Sequence, residues 1–338
     1  MSPKTSTKTG FLSFLSSPSL ILFLARQAIV FAFLAWMIWM SSSNSSFFTS
    51  YNIFNVLRQT APIMIVGFGM TLILATGGID LSVGSMVALT AVISSDLLSK
   101  GFGLTTILFS SLGVGLTIGL INGFFVVQGM PPFIVTLSLL TAVRGLAFVY
   151  SDGYATTITL QKFLELGRGR IGVVPLPVII ALFIGVFAYF LLNYTRLGTY
   201  ILAVGGNQEA ARLQGVSVNF VKLFTYILTG CLAALAGLII TARLGNGTPN
   251  AGQGFELDVI TAVVLGGTSL SGGKATIFGT VIGAIFVGFI RNGLNLQGVS
   301  PFWVQVITGV VLLAAIYFNS KVTTRLTEMI RLTELRKG

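Results

Sequence analysis

Ten stretches of roughly 20 mostly apolar residues divide this chain, each near the length that crosses a bilayer. They lie at about 20–40, 61–77, 83–98, 104–127, 133–150, 176–194, 222–242, 258–270, 275–290 and 302–318. Lipid offers no hydrogen-bond partners, so a segment of this kind satisfies its backbone internally, as a helix. The chain therefore reads as an all-α polytopic membrane protein with about ten transmembrane helices. These form a single domain over 20–320, between an N-terminal tail at 1–19 and a C-terminal tail at 321–338. The eighth segment is short, which leaves its ends open. Composition agrees: 54% of residues are hydrophobic and 9% charged, against roughly 25% charged in soluble domains.

Several function classes fall away. The net charge of +11 is spread over loops and tails, with no basic stripe interleaved with aromatics, so anionic lipid headgroups are the expected partners and nucleic acid is not. The absence of histidine and the single cysteine, Cys231, remove the usual metal ligands, proton relay and general base. No cofactor or metal is expected. Gly273-Lys274 is followed by Ala275, and Thr268 stands where a phosphate loop needs glycine, so no ATPase motif is present and the chain is not expected to be an enzyme. Lys4 and Lys8 before an apolar stretch resemble a signal peptide. That stretch runs on to Trp36-Met37-Ile38-Trp39 without a small-residue cleavage site, so it is read as a retained first span.

Ten spans place both termini on one side. With the termini cytoplasmic, twelve Lys and Arg lie in inside loops and tails and seven in outside loops, three of these in the long segment 151–175. A duplication is visible across this frame. Gly78-x-Asp80-Leu81-x-Val83, with Val87 and Leu89, recurs as Gly254-x-Glu256-Leu257-x-Val259, with Val263 and Leu265. Gln128-Gly129 before Pro132-Phe133-x-Val135 recurs as Gln297-Gly298 before Pro301-Phe302-x-Val304, and Asn122-Gly123 and Asn292-Gly293 precede these two. The first copy covers spans two to five and the second spans seven to ten. One span separates them, so the second copy enters the membrane upside down: an inverted repeat, the arrangement found in many transporters.

Each copy interrupts apolar sequence with glycines and then places an acid. Such breaks are tolerated at membrane depth only where protein or a water-filled cavity covers them. Gly78, Asp80, Ser82, Gly254, Glu256 and Asp258 are accordingly the candidate lining of a translocation path. Asp80 and Glu256 have a blander alternative role, favoured by the dipole in the first turn of the following helix. Glycines spaced by four, Gly115, Gly119 and Gly123 in one span and Gly279 and Gly283 in another, point to close helix packing. Arg144 is the costliest intramembrane charge and should face protein or water, with Asp96 one conceivable partner.

The loop at 196–222 carries the most specific motif. Asn207 suits an N-cap, Glu209 the first turn and Gly215 a left-handed stop, which defines a helix of about two turns flanked by glycines. So short a helix is unstable alone. It reads as a peg for a cytoplasmic partner, built from Gly206, Asn207, Glu209, Ala210, Ala211, Arg212 and Gly215; a loop helix lying on the bilayer is the alternative.

Glu209-Ala210-Ala211, with Gly215 four residues on, resembles the start of the EAA loop of ABC importer permeases, without the Leu-Pro that ends that loop's full form. The runs Thr76-Gly77-Gly78-Ile79-Asp80-Leu81-Ser82-Val83-Gly84-Ser85, Pro132-Phe133-Ile134-Val135-Thr136-Leu137, Gly205-Gly206-Asn207 and Val264-Leu265-Gly266-Gly267-Thr268-Ser269-Leu270-Ser271-Gly272-Gly273 are similar to ribose-type sugar permeases. Together they extend over 50–320, and on them the chain is identified as a member of the branched-chain amino acid and sugar permease superfamily. The resemblance implies a type II-like permease in the bacterial plasma (inner) membrane, acting as a homodimer. Its partners would be a twin-cassette ABC ATPase and an extracytoplasmic sugar-binding protein, and its cargo a monosaccharide, ribose or a related sugar. Another pentose, a hexose and inositol remain open. A rival reading is an ion-coupled secondary transporter of a small polar solute, with Asp80, Asp96 and Asp258 as ion-binding acids; it leaves the short helix without a role. A membrane enzyme lacks a catalytic constellation.

Overall fold

The computed structural model describes residues 33–314 and residue 317. The tails at 1–19 and 321–338 lie outside the described residues, as does most of the expected first span, whose described end is helical over 33–43 (α1). The chain then forms α2 (Ser50–Ala75), α3 (Val83–Ser99), α4 (Leu104–Val127), α5 (Pro132–Ser151), α6 (Gln161–Arg168), α7 (Leu176–Tyr194), α8 (Arg196–Gly206), α9 (Gln208–Leu213), α10 (Val218–Leu244), α11 (Phe255–Leu265), α12 (Ile277–Leu296) and α13 (Pro301–Ala314). Six of these, α2, α4, α5, α7, α10 and α12, are long and apolar enough to cross a membrane, and α3 and α13 are shorter apolar helices. The chain is a multi-pass helical membrane protein.

Local chemistry sets the helix ends. Thr49, Thr195 and Thr276 cap α2, α8 and α12 by accepting from the backbone N–H of Asn52, Gly198 and Gly279. Pro132 opens α5, where its missing N–H would be unpaired in any case. Gly245, at φ 76°, closes α10 in the left-handed conformation.

Burial separates central from peripheral helices. The most apolar window of α2 is 83% buried, that of α5 only 22%. Helix α2 thus forms the middle of the core, and α4, α5 and α7 turn exposed apolar side chains such as Phe124, Phe133 and Phe183 outward. In water such a surface would be a liability; against lipid tails it is the expected solvent-facing side.

The packing is reciprocal. Helix α2 packs against α11 and α12, while α10 packs against α3 and α4, and α2 and α10 also touch each other. The glycines spaced by four serve these contacts. Gly115 lies so close to Gly230 of α10 that a methyl on either would strike the other's carbonyl, and a methyl on Gly119 would sit 2.6 Å from the Tyr226 carbonyl. Gly283 likewise stands against the Ala262 carbonyl of α11 and Gly279 against that of Gly266. Small residues in this role let helix backbones approach closely where lipid supplies no hydrophobic drive for association.

The segment 151–175, expected as a long loop, contains structure of its own. The strand β1 (Thr156–Thr157) pairs antiparallel with β4 (Asn246–Gly247), and β2 (Arg170–Ile171) with β3 (Val174–Pro175). Between them α6 buries Phe163 and Leu164 in a small cluster with Ile107 and Leu238. This apolar anchor holds the segment against the ends of α4 and α10.

Candidate functional site

The first break follows α2. Thr76 ends the helix, Gly77 turns the chain at φ 79°, and α3 starts only at Val83. Asp80 therefore lies ahead of the helix and not in its first turn, so the dipole role anticipated for it does not apply. Its carboxylate is instead consumed locally: Oδ1 accepts from the Ser82 N–H at 2.8 Å and from Ser82 Oγ at 2.6 Å. Asn122 Nδ2, from α4, donates to Ser82 Oγ at 2.8 Å and to Asp80 Oδ2 at 3.4 Å. Asp80 and Ser82 are both wholly buried. The Tyr226 hydroxyl of α10 donates to the Ile79 carbonyl at 3.1 Å. Four polar groups thus replace the helical bonds that the break gives up, as a buried backbone requires.

The second break precedes α11. Gly252 and Gly254 take left-handed conformations, with φ 67° and 74°, and Glu256 and Asp258 lie in the first helical turn. Here the dipole does favour the acids. Arg144 supports this break from α5. Its guanidinium donates to the carbonyls of Pro249 at 2.9 Å, Ala251 at 2.6 Å and Gly252 at 3.1 Å. The partner of Arg144 is therefore backbone, and Asp96 binds elsewhere, to Lys100 at 2.8 Å and the Tyr150 hydroxyl. A guanidinium that donates to three carbonyls in this way has its charge satisfied by backbone.

Asp258 is 3% exposed and pairs with Arg291 near the end of α12. The two breaks are thus each tied to a later helix: Asp80 and Ser82 to Asn122 near the end of α4, Asp258 to Arg291 near the end of α12. Asn292, the echo of Asn122, exchanges two hydrogen bonds with Asn52 of α2, at 2.8 and 2.9 Å.

The two breaks meet. A methyl group at Gly84, the second residue of α3, would collide with the Glu256 carboxylate and come within 2.6 Å of the Gly252 carbonyl. Val87, on the next turn, would lie 2.9 Å from a methyl at Gly252. Glu256 Oε2 is buried at this contact with no hydrogen-bond partner. Asp258 Oδ1 has its ion pair with Arg291, whereas Glu256 Oε2 has neither hydrogen bond nor ion pair where the two breaks touch.

The short helix α9 forms as expected. Asn207 Oδ1 accepts from the Ala210 N–H at 2.9 Å, and Gly215 takes φ 81°. Ala211 and Val216 plug into the core, while Glu209, Ala210, Arg212 and Leu213 face outward, Leu213 at 78% exposure. Its stem reaches the first break directly. A methyl at Gly205 would strike the Ala75 carbonyl and lie 2.6 Å from the Gly273 nitrogen, and Gly273 N–H itself donates to Ala75 O at 3.0 Å. Three glycine-bearing turns, at 75–77, 205–206 and 272–273, are stacked backbone to backbone. They join α9 to the turn after α2 and the turn before α12.

Sequence reading missed Gly84, Tyr226 and Arg291. The echoed Asn-Gly pairs pointed to Asn122 and, one residue away, to Arg291; Tyr226 and Gly84 carried no signal beyond composition. Among the described residues no group of three or more acids, Cys or His is placed to hold a metal ion.

Residues 52–316 match the family described as branched-chain amino acid transport system / permease component. The ribose import permease protein RbsC of Escherichia coli (strain K12) is 42% identical over 303 residues, 88% of this chain and 94% of that protein. RbsC of Bacillus subtilis (strain 168) is 43% identical over 281 residues, 82% of this chain and 87% of that one. The galactofuranose transporter permease protein YtfT of Escherichia coli (strain K12) is 38% identical over 269 residues, 79% of each chain. No solved structure matches. With a match over most of its length, and relatives that align nearly end to end, the chain belongs to the branched-chain amino acid transport system permease component family.

Proposed function

We propose that this chain is the membrane-spanning permease subunit of an ATP-driven (ABC) importer for a monosaccharide, ribose or a closely related sugar. Energy comes from a twin-cassette ATPase, and cargo from an extracytoplasmic sugar-binding protein. The observation that carries the reading is α9 and its stem: the outward face of the helix is exposed, and Gly205 at its stem lies on the Ala75 carbonyl at the first break. A partner that moves α9 moves the break. The names of the relatives, ribose and galactofuranose permeases, support a sugar as cargo.

In this reading 20–320 is one transmembrane domain of about ten spans, with 196–222 as the coupling loop and both termini cytoplasmic in the bacterial inner membrane. The reciprocal packing of α2 on α11 and α12, and of α10 on α3 and α4, supports an inverted repeat. Two copies pair as a homodimer. The path runs past Gly78, Asp80, Ser82, Gly254, Glu256 and Asp258. Glu256, with its unpartnered oxygen, is the acid that meets cargo, whereas Asp80 and Asp258 brace the breaks through Asn122 and Arg291. Glu209, Ala210 and Arg212 meet the ATPase; Gly206, Asn207, Ala211 and Gly215 hold the helix in place.

Proteoliposomes containing the permease, the ATPase and the binding protein test this. Ribose uptake that requires ATP and all three proteins is the expected result. Uptake driven by a Na⁺ or proton gradient without ATP would establish the ion-coupled alternative, which the buried acids alone would also fit.

A further inference from the structure

Four arginines gather at the end of the molecule opposite α9. Arg243 lies in the last turn of α10, about 40 Å along that helix from the end that adjoins α9. Arg58 is about 25 Å along α2 from Ala75, the residue that touches the α9 stem. Arg170 is near enough to Arg58, and Arg58 to Arg243, for their charges to act on one another. Arg168 joins them through its Nε, which donates to the Arg243 carbonyl at 2.9 Å. Gly167 packs onto the Arg243 backbone so tightly that a methyl group there would collide with the Arg243 nitrogen. The α6 segment is therefore fastened over the end of α10, and the convergence of the arginines is built into the fold.

What the cluster lacks is an anion. Arg58 Nε, Arg58 Nη2 and Arg243 Nη1 are buried without a hydrogen-bond partner. Among the described residues the ion pairs are Lys100–Asp96, Arg212–Glu209 and Arg291–Asp258, and none involves this cluster. Buried donors are almost always satisfied, and like charges held together without a counter-charge repel. Two of the arginines, Arg168 and Arg170, are exposed at the rim, while the unpartnered nitrogens of the other two lie beneath it.

We propose that Arg58 and Arg243, with Arg168 and Arg170 at the rim, form a binding site for a phosphate group. Guanidinium forks match phosphate oxygens two at a time. A compact oxyanion reaches nitrogens below the surface, which a carboxylate displayed by a globular partner does less well. Arg58 lies just ahead of the apolar run that begins at 61 and Arg243 in the last turn of α10, the level at which headgroups meet spanning helices in a bilayer. A phospholipid headgroup and a free phosphate ion share this chemistry.

The test uses the full chain purified in a neutral detergent. Native mass spectrometry counts phosphatidylglycerol retained, with diacylglycerol as the phosphate-free control. A second arm follows the melting temperature as inorganic phosphate replaces chloride at constant ionic strength. Retention of phosphatidylglycerol over diacylglycerol without a response to inorganic phosphate assigns a lipid headgroup; a melting response assigns the free anion. In either case Arg58→Gln with Arg243→Gln should weaken binding by about tenfold or more, and the exposed single variant Arg170→Gln by about threefold. Arg170→Gln guards against a double variant that merely misfolds. The proposal is overturned if the unaltered chain prefers neither phosphate probe to its control, or if Arg170→Gln binds as the unaltered chain does. It is also overturned if the cluster proves necessary only for binding the extracytoplasmic protein, with neither phosphate probe bound.

Discussion

Gly84 and Glu256 are in direct contact: the α-carbon of one helix restart faces the carboxylate of the other, with no room for a methyl group between them. The relationship joins the first copy of the duplicated motif to the second. It also explains a residue choice, since only glycine leaves space for the Glu256 carboxylate and the Gly252 carbonyl together. The first prediction follows from that space. Gly84→Ala should destabilise the protein by about 1–3 kcal/mol through overpacking and abolish uptake. Gly113→Ala, on α4 where a methyl meets nothing within 4 Å, should leave both unchanged. Thermal melting in detergent and vesicle uptake provide the comparison, and equal behaviour of the two variants would remove the contact from the mechanism.

Helix α9 owes its form to Asn207 and Gly215 and its outward face to Glu209, Arg212 and Leu213. Glu209→Lys should abolish transport with membrane insertion intact, because it reverses charge on an exposed face and disturbs no packing. Gly215→Pro should do the same by forbidding the positive φ at the helix stop. Co-purification of the ATPase is the readout, and retention of the ATPase with normal uptake in both variants would dismiss the docking role.

At the α9 stem, Gly205 lies against the Ala75 carbonyl. Gly205→Ala should therefore separate the helix from the first break. The ATPase should still bind, since Glu209 to Leu213 are untouched, but ATP hydrolysis and sugar uptake should become uncoupled. The ratio of sugar moved to ATP consumed should fall by about tenfold, the loss that follows from about 1.4 kcal/mol of misplaced contact. An unchanged ratio would mean that the stacked turns carry no motion.

Arg144 holds three carbonyls of the second break. Arg144→Met, which keeps an unbranched side chain and removes every donor, should cost about 3 kcal/mol or more, since bonds to a charged donor count for roughly 1.5–3 kcal/mol each and the carbonyls stay buried. Arg144→Lys should recover only part of this, because a point charge cannot span three acceptors. Urea or thermal unfolding of the two variants in the same detergent decides it.

Much of the architecture is legible in residue order alone. Within the described residues a helix lies at each expected span, since lipid favours that backbone state for an apolar stretch. Six of these helices are long and apolar enough to cross a membrane, and the expected span at 258–270 is helical only as far as Leu265. The boundaries differ where polar residues intervene, and for one reason. Helix α2 starts at Ser50, eleven residues ahead of the apolar run at 61, and α12 runs on to Leu296. The added turns carry Asn52 in one helix and Arg291 and Asn292 in the other, and these satisfy one another and Asp258. A reading that scores each segment for lipid cannot see polar groups that pair across helices.

The duplicated motifs, their glycines and acids, the caps of α9 and the glycine faces of α4 and α12 were all determined by the sequence itself, since each depends on local backbone preference or on helical spacing. What the acids do was decided by tertiary contacts. Asp80 and Glu256 stand at matching places in the motif, yet one carboxylate is enclosed by Ser82 and Asn122 while the other keeps a buried oxygen free against Gly84. The backbone role of Arg144 and the unpaired arginines around Arg58 and Arg243 were decided in the same way. Hydrogen bonds need their partners about 3 Å apart and charge interactions weaken with distance, so both belong to whichever groups the fold brings together, and order along the chain does not say which those are.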